Sequence, residues 1–420
     1  MGSAIPPSAL LLLPAPTSFT RSSLRTACGP TLSSLLPFVA KSVKGTNDIA
    51  RLDVAVVLPE FISVKDTPRA ILFANTQTLL TELYTLLCLT AVEHGVDLDF
   101  PGGVDARIFM LEAIRETPET SVNYAFTGPL IDMATLVASR PRIYNLIFSI
   151  ESEEGEHILQ AFLKLHSVLP NPSPLKVRRM IGGTSITTSS QKSEARQAAT
   201  DPLHPPPPHH SVIVGGTFDH LHIGHKLLLT ATALVLSPPP SPKSNRLITI
   251  GITGDELLVN KKFASEVESW DVRQQKTADF LESILAFPAA LASSFSRRSE
   301  TISEPGPNGH VVRVTFLSVA SGSTTTINYT RISDPYGPTI TDEKITALVI
   351  SQETRAGGKA VNDKRREKGW AELEVFEVDI LDASPRLEDD DDVDGPRKET
   401  FESKISSTEI RRRLAEMRVK

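Results

Sequence analysis

Cysteine is almost missing from this chain of 420 residues: Cys28 and Cys88 are the only two, and no C-x-x-C occurs. That leaves no disulfide framework and suits a reducing intracellular compartment. No charge of one sign dominates. Lysine and arginine number 44, aspartate and glutamate 50, and the net charge of −6 gives no global footprint for nucleic acid. No apolar run approaches the length of a bilayer span, so no membrane partner is expected. The phosphate loop G-x-x-x-x-G-K-[S/T] is absent throughout. Pro6 stands where a myristoylation signal needs serine or threonine, and the Leu10–Leu13 run is too short for a secretory signal. Arg21, Arg25 and several serines precede the first acid, Asp48. This leaves two readings open, a mitochondrial presequence or a strand over Ala9–Leu13 followed by a helix. The second is the expectation, with a cytoplasmic location and mitochondrial association left open. The length accommodates two domains, and a hydrophobic content of 40% with mean hydropathy −0.08 is that of a globular protein.

What is present concentrates in Gly215-Gly216-Thr217-Phe218-Asp219-His220-Leu221-His222-Ile223-Gly224-His225-Lys226. The apolar run Val212–Val214 precedes it, and leucines and alanines at helical spacing follow to Leu236. The pattern is strand, glycine turn, helix. A helix's first turn carries unsatisfied N–H groups and a partial positive charge, which suit a phosphate. Gly215, Gly216 and Gly224 let backbone approach such a ligand. His222 and His225, three apart, share one helical face. His220, His222 and His225 could also ligate a metal. Three imidazoles with no acidic or thiolate partner at regular spacing make a poor divalent site, so no metal held by the protein is expected.

The G-T-F-D…H-x-G-H pattern resembles the signature of the nucleotidyltransferase superfamily. A second stretch is Lys404-Ile405-Ser406-Ser407-Thr408-Glu409-Ile410-Arg411. Ser406 and Glu409 have capping-box spacing, and Ile410, Leu414 and Met417 form an apolar stripe. Hydroxyls, backbone N–H groups and a guanidinium at one helix start would hold a polyphosphate. The stretch resembles the family's I-S-S-T-x-x-x-R element for the β- and γ-phosphates, and by that match Ser406, Ser407, Thr408 and Arg411 carry the role. Lys261 and Lys262 follow the second strand of this half; a family lysine there neutralises the transferring and acceptor phosphates, and Lys261 is the choice of the two. Asp334 stands in the proline-rich Ser333–Thr339 loop. Arg355, Lys359 and Arg365 flank Gly357-Gly358 ahead of a helix and are expected near the substrate phosphates, or else as helix surface charges.

With the opening motif, these stretches make residues 211–420 similar to the eukaryotic-type phosphopantetheine adenylyltransferases. The leucine-rich start and the Val104–Ile108 strand are more weakly similar to the domain preceding the adenylyltransferase in the bifunctional coenzyme A synthase of animals. Ala356 departs from that enzyme's pattern, where an arginine stands. With no phosphate loop, the dephospho-coenzyme A kinase step is not expected. The resemblance implies AMP transfer from ATP to 4′-phosphopantetheine, with Mg²⁺ accompanying ATP. It implies that His225, Thr217 and Lys261 act on the reacting phosphates, while Gly215, Gly216, Phe218, Asp219, His222 and Gly224 line the ATP site. One rival is a cytidylyltransferase of phospholipid head groups. Thr400–Lys404 lack that family's R-T-x-G before the final helix. The other rival is a non-catalytic nucleotide-binding scaffold, which an intact His225 and serine pair disfavour.

The expected architecture is α/β: a Rossmann-like parallel-sheet nucleotidyltransferase domain (211–420) preceded by a second α/β domain (1–184). A Ser/Thr- and Pro-rich linker (185–210) joins them. Pro205–Pro208 read as a stiff polyproline spacer, with His209-His210 solvated beside it. In the first half strands are expected at Ala9–Leu13, Leu52–Leu58, Val104–Leu111 and Ile143–Ile150, and helices at Ile71–Glu93 and Glu154–Ser167. That half carries no identifiable chemistry and its role is left open; a scaffolding or regulatory one, through protein partners in coenzyme A synthesis, is as good as any other. In the second half strands are expected at Ser211–Val214, Leu247–Ile252, Val311–Val319, Ala347–Ile350 and Leu373–Ile380. Helices are expected from Ile223, at Trp270–Phe287, near Ala360–Lys368 and at Ser406–Arg418. Pro238–Ser244, Ser293–His310 and the acidic run Glu388–Asp394 read as surface insertions.

Overall fold

The computed structural model describes residues 8–59, 67–113, 128–139, 142, 144–183, 206–287, 295–319, 321–381 and 406–419. The acidic run 388–394, Pro205 and the Ser/Thr-rich stretch 185–200 lie outside them. The first half builds a six-stranded, wholly parallel sheet in the order β4-β3-β2-β1-β5-β6. Its strands are β1 (Ser8–Leu13), β2 (Ala50–Val57), β3 (Val104–Leu111), β4 (Leu130–Ile131), β5 (Leu146–Ile150) and β6 (Lys176–Met180). β1 is a near-continuous leucine run buried on both faces, the pattern of a central parallel strand. Residues 8–41 are therefore part of the fold, strand β1 and then α1 (Arg21–Lys41). Helix α2 (Arg69–Glu93) is apolar around most of its circumference, which requires cover on all sides. α3 (Met133–Ala138) and α4 (Glu153–Ser167) pack on the other face of the sheet.

The second half forms a seven-stranded sheet in the order β13-β12-β7-β8-β11-β10-β9. Its strands are β7 (Ser211–Gly216), β8 (Asn245–Thr253), β9 (Phe295–Ser303), β10 (His310–Ser318), β11 (Thr324–Ile332), β12 (Ala347–Ser351) and β13 (Glu374–Val378). Helices α5 (Ile223–Val235), α6 (Trp270–Leu285), α7 (Arg355–Glu367) and α8 (Ser407–Val419) accompany them. β13, β12, β7, β8 and β11 run parallel, while β10 is antiparallel to both neighbours. Two expectations fail here. Residues 295–303 are not a surface insertion but the edge strand β9, hidden from pattern reading because most of its side chains are exposed. β11 also goes unread: its threonines mask an alternation that buries Thr325, Ile327 and Tyr329.

His209 is a third correction. It is 3% exposed. Its ring bonds Thr346 Oγ1 at 3.1 Å through Nδ1 and Glu374 at 2.8 Å through Nε2. The end of the proline spacer is thus fastened to the sheet. The two halves also share an interior. One apolar cluster runs from Leu11 and Val54 through Leu83 to Leu227, Val214 and Ile250. Phe287 after α6 meets Phe109 of β3 edge-on, centroids 5.5 Å apart. Among the described residues no helix is long and apolar enough to cross a membrane.

Candidate active site

β7 is paired with β8 on one side and β12 on the other, and the chain reaches these neighbours in opposite directions. The carboxyl end of β7 is therefore a topological switch point, where open α/β sheets take ligands. Gly215 and Gly216 end that strand. A Cβ on Gly216 would stand 3.0 Å from the fully buried Phe218 ring, so glycine lets that ring pack against the strand end without displacement. Phe218 (φ 51°) and His220 (φ 45°) adopt left-handed backbone, a strained turn held by its surroundings.

Asp219 is fully buried. Its carboxylate accepts from the Glu268 amide at 2.9 Å and from Arg411 Nη1 at 2.5 Å. Arg411 also donates to the Lys262 carbonyl at 3.0 Å and to Thr408 Oγ1 at 3.1 Å. His222 caps α5: its Nδ1 accepts from the Gly224 amide at 3.2 Å, and its Nε2 lies 3.2 Å from Ser407 Oγ. With Nδ1 accepting, the neutral ring carries its proton on Nε2 and donates to Ser407, whose hydroxyl donates to the Asp219 carbonyl at 3.0 Å. The β7–α5 turn and the start of α8, joined by bonds that span 185 to 192 residues of sequence, are thereby laced together.

His225 stacks on His222 with centroids 3.9 Å apart and lies 5.4 Å from the Phe218 ring. Its Nδ1 is buried with no hydrogen-bond partner among the described residues. Burial pushes its imidazole down to about 4, with His220 adding to the effect against the pull of Asp219. Burial, then His225, His220 and Lys226, hold His222 well below the ordinary imidazole range. Both rings are neutral at pH 7. Below about 6.5 an unfolded histidine takes a proton that the folded rings refuse, so stability rises with pH between about 4 and 6.5 and falls on acidification through that window. Urea unfolding of His225→Ala between pH 4.5 and 7 should show a shallower pH dependence than the parent.

Thr217 is half-buried, and its carbonyl accepts from Arg273 Nη1 at 2.6 Å. Lys261 and Lys262 are exposed on the loop after β8. Ser406 is half-buried and Thr408 exposed. His220 points away from the turn; its Nε2 bonds the Glu266 carbonyl at 2.6 Å, and its amide donates to Glu268. Glu409 pairs with Arg412 at 2.9 Å. Of the stripe on α8 only Ile410 is fully buried; Met417 is 53% exposed. Leu414 and Met417 instead line a cavity of about 380 Å³ beside His220, Glu266 and Arg418. A wider hollow of about 750 Å³ sits at the amino ends of β7, β8 and β11 and contains none of the motif residues. Among the described residues no group of three or more His, Cys, Asp or Glu could hold a metal ion.

The second set of expected phosphate contacts divides. Arg355 and Lys359 are exposed near the carboxyl end of β12, and Arg355 pairs with Glu377 at 2.7 Å. Gly358 packs α7 on β12: a Cβ there would lie 3.1 Å from Ile350 Cδ1. Asp334 folds its own loop, accepting from the Tyr336 and Gly337 amides at 2.8 Å. Arg365 is a correction. It is 1% exposed and donates to the carbonyls of Thr339, Asp342, Glu343, Ile345 and Ala371, which leaves its guanidinium nothing for a phosphate. Arg365→Leu should cost about 3 kcal/mol or more by orphaning buried carbonyls, whereas Arg355→Ala, losing an exposed and solvent-screened pair, should leave stability close to the parent's. Urea midpoints of the two variants distinguish these roles.

Sequence reading missed Arg273, which is fully buried. It donates to the carbonyls of Thr217, Thr253 and Glu268 and to Asp255 Oδ1 at 2.7 Å. The available signal was a lone arginine on the buried face of α6, in register with Thr277, Phe280 and Leu281. It also missed Lys226, whose ammonium is buried against Asp105 at 2.5 Å and against Asp99.

A family model described as a domain of unknown function (DUF8446) matches residues 1–186. An uncharacterized protein of Schizosaccharomyces pombe is 33% identical over 207 residues, 49% of each chain. The phosphopantetheine adenylyltransferase of Saccharomyces cerevisiae is 31% identical over 201 residues, 48% of this chain and 47% of that one. The match thus spans about half the length of both yeast relatives. The phosphopantetheine adenylyltransferase of Pyrobaculum aerophilum is 30% identical over 172 residues, 41% of this chain and 80% of its own. By that likeness over most of the archaeal protein, the chain belongs to the phosphopantetheine adenylyltransferase family.

Proposed function

We propose that this protein transfers AMP from ATP to 4′-phosphopantetheine, giving dephospho-coenzyme A and pyrophosphate. The observation that carries the reading is the lacing of two helix starts, His222 to Ser407 and Asp219 to Arg411, around the unpartnered His225 Nδ1 at the switch point. An acceptor phosphate oxygen forms a bond to the α-phosphorus of ATP while the bond to the bridging α–β oxygen breaks in line, and pyrophosphate leaves. A phosphate is already an anionic nucleophile, so no general base is demanded. The protein's part is positioning and stabilisation of charge on the α-phosphoryl oxygens. In this reading neutral His225 and Thr217 donate to those oxygens and Lys261, with Lys262 beside it, meets the acceptor phosphate. His222 and Ser406–Thr408 hold the triphosphate. Asp219 and Arg411 frame the cradle, because each is already committed to the other. Asp219 is also bound by the Glu268 amide, so Mg²⁺ fits as the counter-ion of ATP itself, where it would shield phosphate charge.

The test is pyrophosphate release by the whole chain with Mg²⁺, ATP and 4′-phosphopantetheine, with the product weighed by mass spectrometry. Dephospho-coenzyme A formed from ATP and not from CTP supports the reading. Turnover confined to CTP with phosphocholine or phosphoethanolamine replaces it with the cytidylyltransferase reading, and no release with either nucleotide removes it.

A further inference from the structure

Beyond the apolar packing of α5 on α2, each of the two helices that carry the cradle places a basic side chain on the same part of the first half, the turn after α2 and the first residues of β3. Lys226 directly follows His225 on α5 and is 3% exposed. Its ammonium pairs with Asp105 at 2.5 Å and with Asp99, and Arg107 also binds Asp105. Arg413 follows Arg411 by two residues on α8. It pairs with Asp97 at 3.0 Å, and its guanidinium lies 5.1 Å from the Phe100 ring centroid. The turn that presents these groups is tightly specified. Val104 donates to the Asp97 carbonyl at 2.9 Å, Asp99 to Val104 at 3.1 Å and Gly103 to Phe100 at 2.9 Å. A Cβ on Gly103 would fall 2.3 Å from the Asp97 carbonyl oxygen, and Gly102 adopts φ 78°. A backbone so constrained can act as a fixed post.

We infer that the turn 97–105 is a clamp in cis that sets the spacing of the two phosphate-binding helix starts, with Lys226 and Arg413 as positioning residues. This rests on the adenylyl-transfer reading for its consequence in catalysis, but not for its consequence in structure. α8 needs such a hold, since among the described apolar side chains from Ile410 to Met417 only Ile410 is fully buried. Its seat is made mostly of polar contacts: Ser407 and Arg411 to the β7–α5 turn, Arg418 to Glu266 at 2.8 Å, and Arg413 to the clamp. A displacement of about 1 Å in such a cradle can cost up to about 10²-fold in rate.

The two anchors separate by the parameter they govern. Arg413 aligns the helix that holds the triphosphate, so Arg413→Gln and Asp97→Asn raise KM for ATP about tenfold and leave KM for 4′-phosphopantetheine unchanged. This pair is partly exposed, so the melting temperature barely moves. The exchanged pair Asp97→Arg with Arg413→Asp restores KM. Lys226 aligns the helix bearing His225, so Lys226→Met lowers kcat. That variant leaves two carboxylates facing each other in a buried site and can fail to fold, in which case the Arg413 series decides.

The experiment measures these constants in the full chain alongside hydrogen–deuterium exchange of residues 407–414. Faster exchange there in Arg413→Gln, reversed in the exchanged pair, is the expected result. Wild-type exchange and wild-type KM for ATP in both single variants overturn the clamp, as does an exchanged pair that restores neither. If the parent chain releases no pyrophosphate, the adenylyl-transfer reading has failed, and the exchange data alone decide the clamp.

Discussion

Alanine at position 225 is expected to lower pyrophosphate release about 10²–10³-fold while leaving the melting temperature close to that of the parent. The two halves of this expectation come from different observations. The His225 Nδ1 has no partner within the described protein, so truncation orphans no internal donor or acceptor. What is lost in the free chain is ring packing on His222 and Phe218. In the proposed adenylyl transfer, the loss in the Michaelis complex is a donor to charge that develops only as the α-phosphorus is attacked. Rate and Tm measured together check it: wild-type turnover would remove His225 from the mechanism. The depressed imidazole adds a constraint. A ring that stays neutral down to about pH 4 in the free enzyme adds no break of its own to kcat/KM for ATP near pH 6.5, so His225→Ala leaves the shape of that profile as the parent's.

Arg273→Met should produce the opposite profile, losing both stability and activity. The arginine satisfies three carbonyls from three segments that meet under the cradle: Thr217 in the motif turn, Thr253 at the end of β8 and Glu268 before α6. Methionine of similar length fills the space but leaves those carbonyls buried and unpaired, at about 1–3 kcal/mol each where water cannot reach them. A loss of about 3 kcal/mol or more is expected in urea unfolding, with a fall in kcat because the Thr217 backbone loses its tether. Asp255 is half exposed and regains water, so it adds little to that loss. A variant with parental stability would show that solvent replaces the guanidinium.

The parts of the fold that a pattern reader recovers are those whose burial is local. β3 was read with both its ends, and β7, β12, α2, α4 and α6 within a few residues, because apolar periodicity and flanking turn residues record which face is covered. The motif turn and the start of α8 were legible because glycine, histidine and hydroxyl residues cluster there beyond any structural need. β9 was not, since an edge strand with polar side chains on both faces looks like a loop. Nor were the buried charges. Arg365 sits on a helix whose neighbours Lys364 and Arg366 are ordinary surface charges; only the fold shows it turned inward onto carbonyls of the 339–345 loop. Lys226 closes the G-T-F-D…H-x-G-H stretch with nothing in the sequence to mark it until the structure supplies carboxylates more than a hundred residues upstream.

The continuous interior shared by the two sheets bears on how this protein can be handled and how it could have been assembled. Leu83 and Cys88 of α2 lie in the same apolar mass as Leu227 and Leu234 of α5, so neither half presents a finished surface without the other. A protease site engineered between Gly183 and Pro206 should therefore yield two polypeptides that elute as one particle under native conditions and part only in denaturant. Expressing the motif-bearing portion by itself would strip the cover from α5 and invite precipitation.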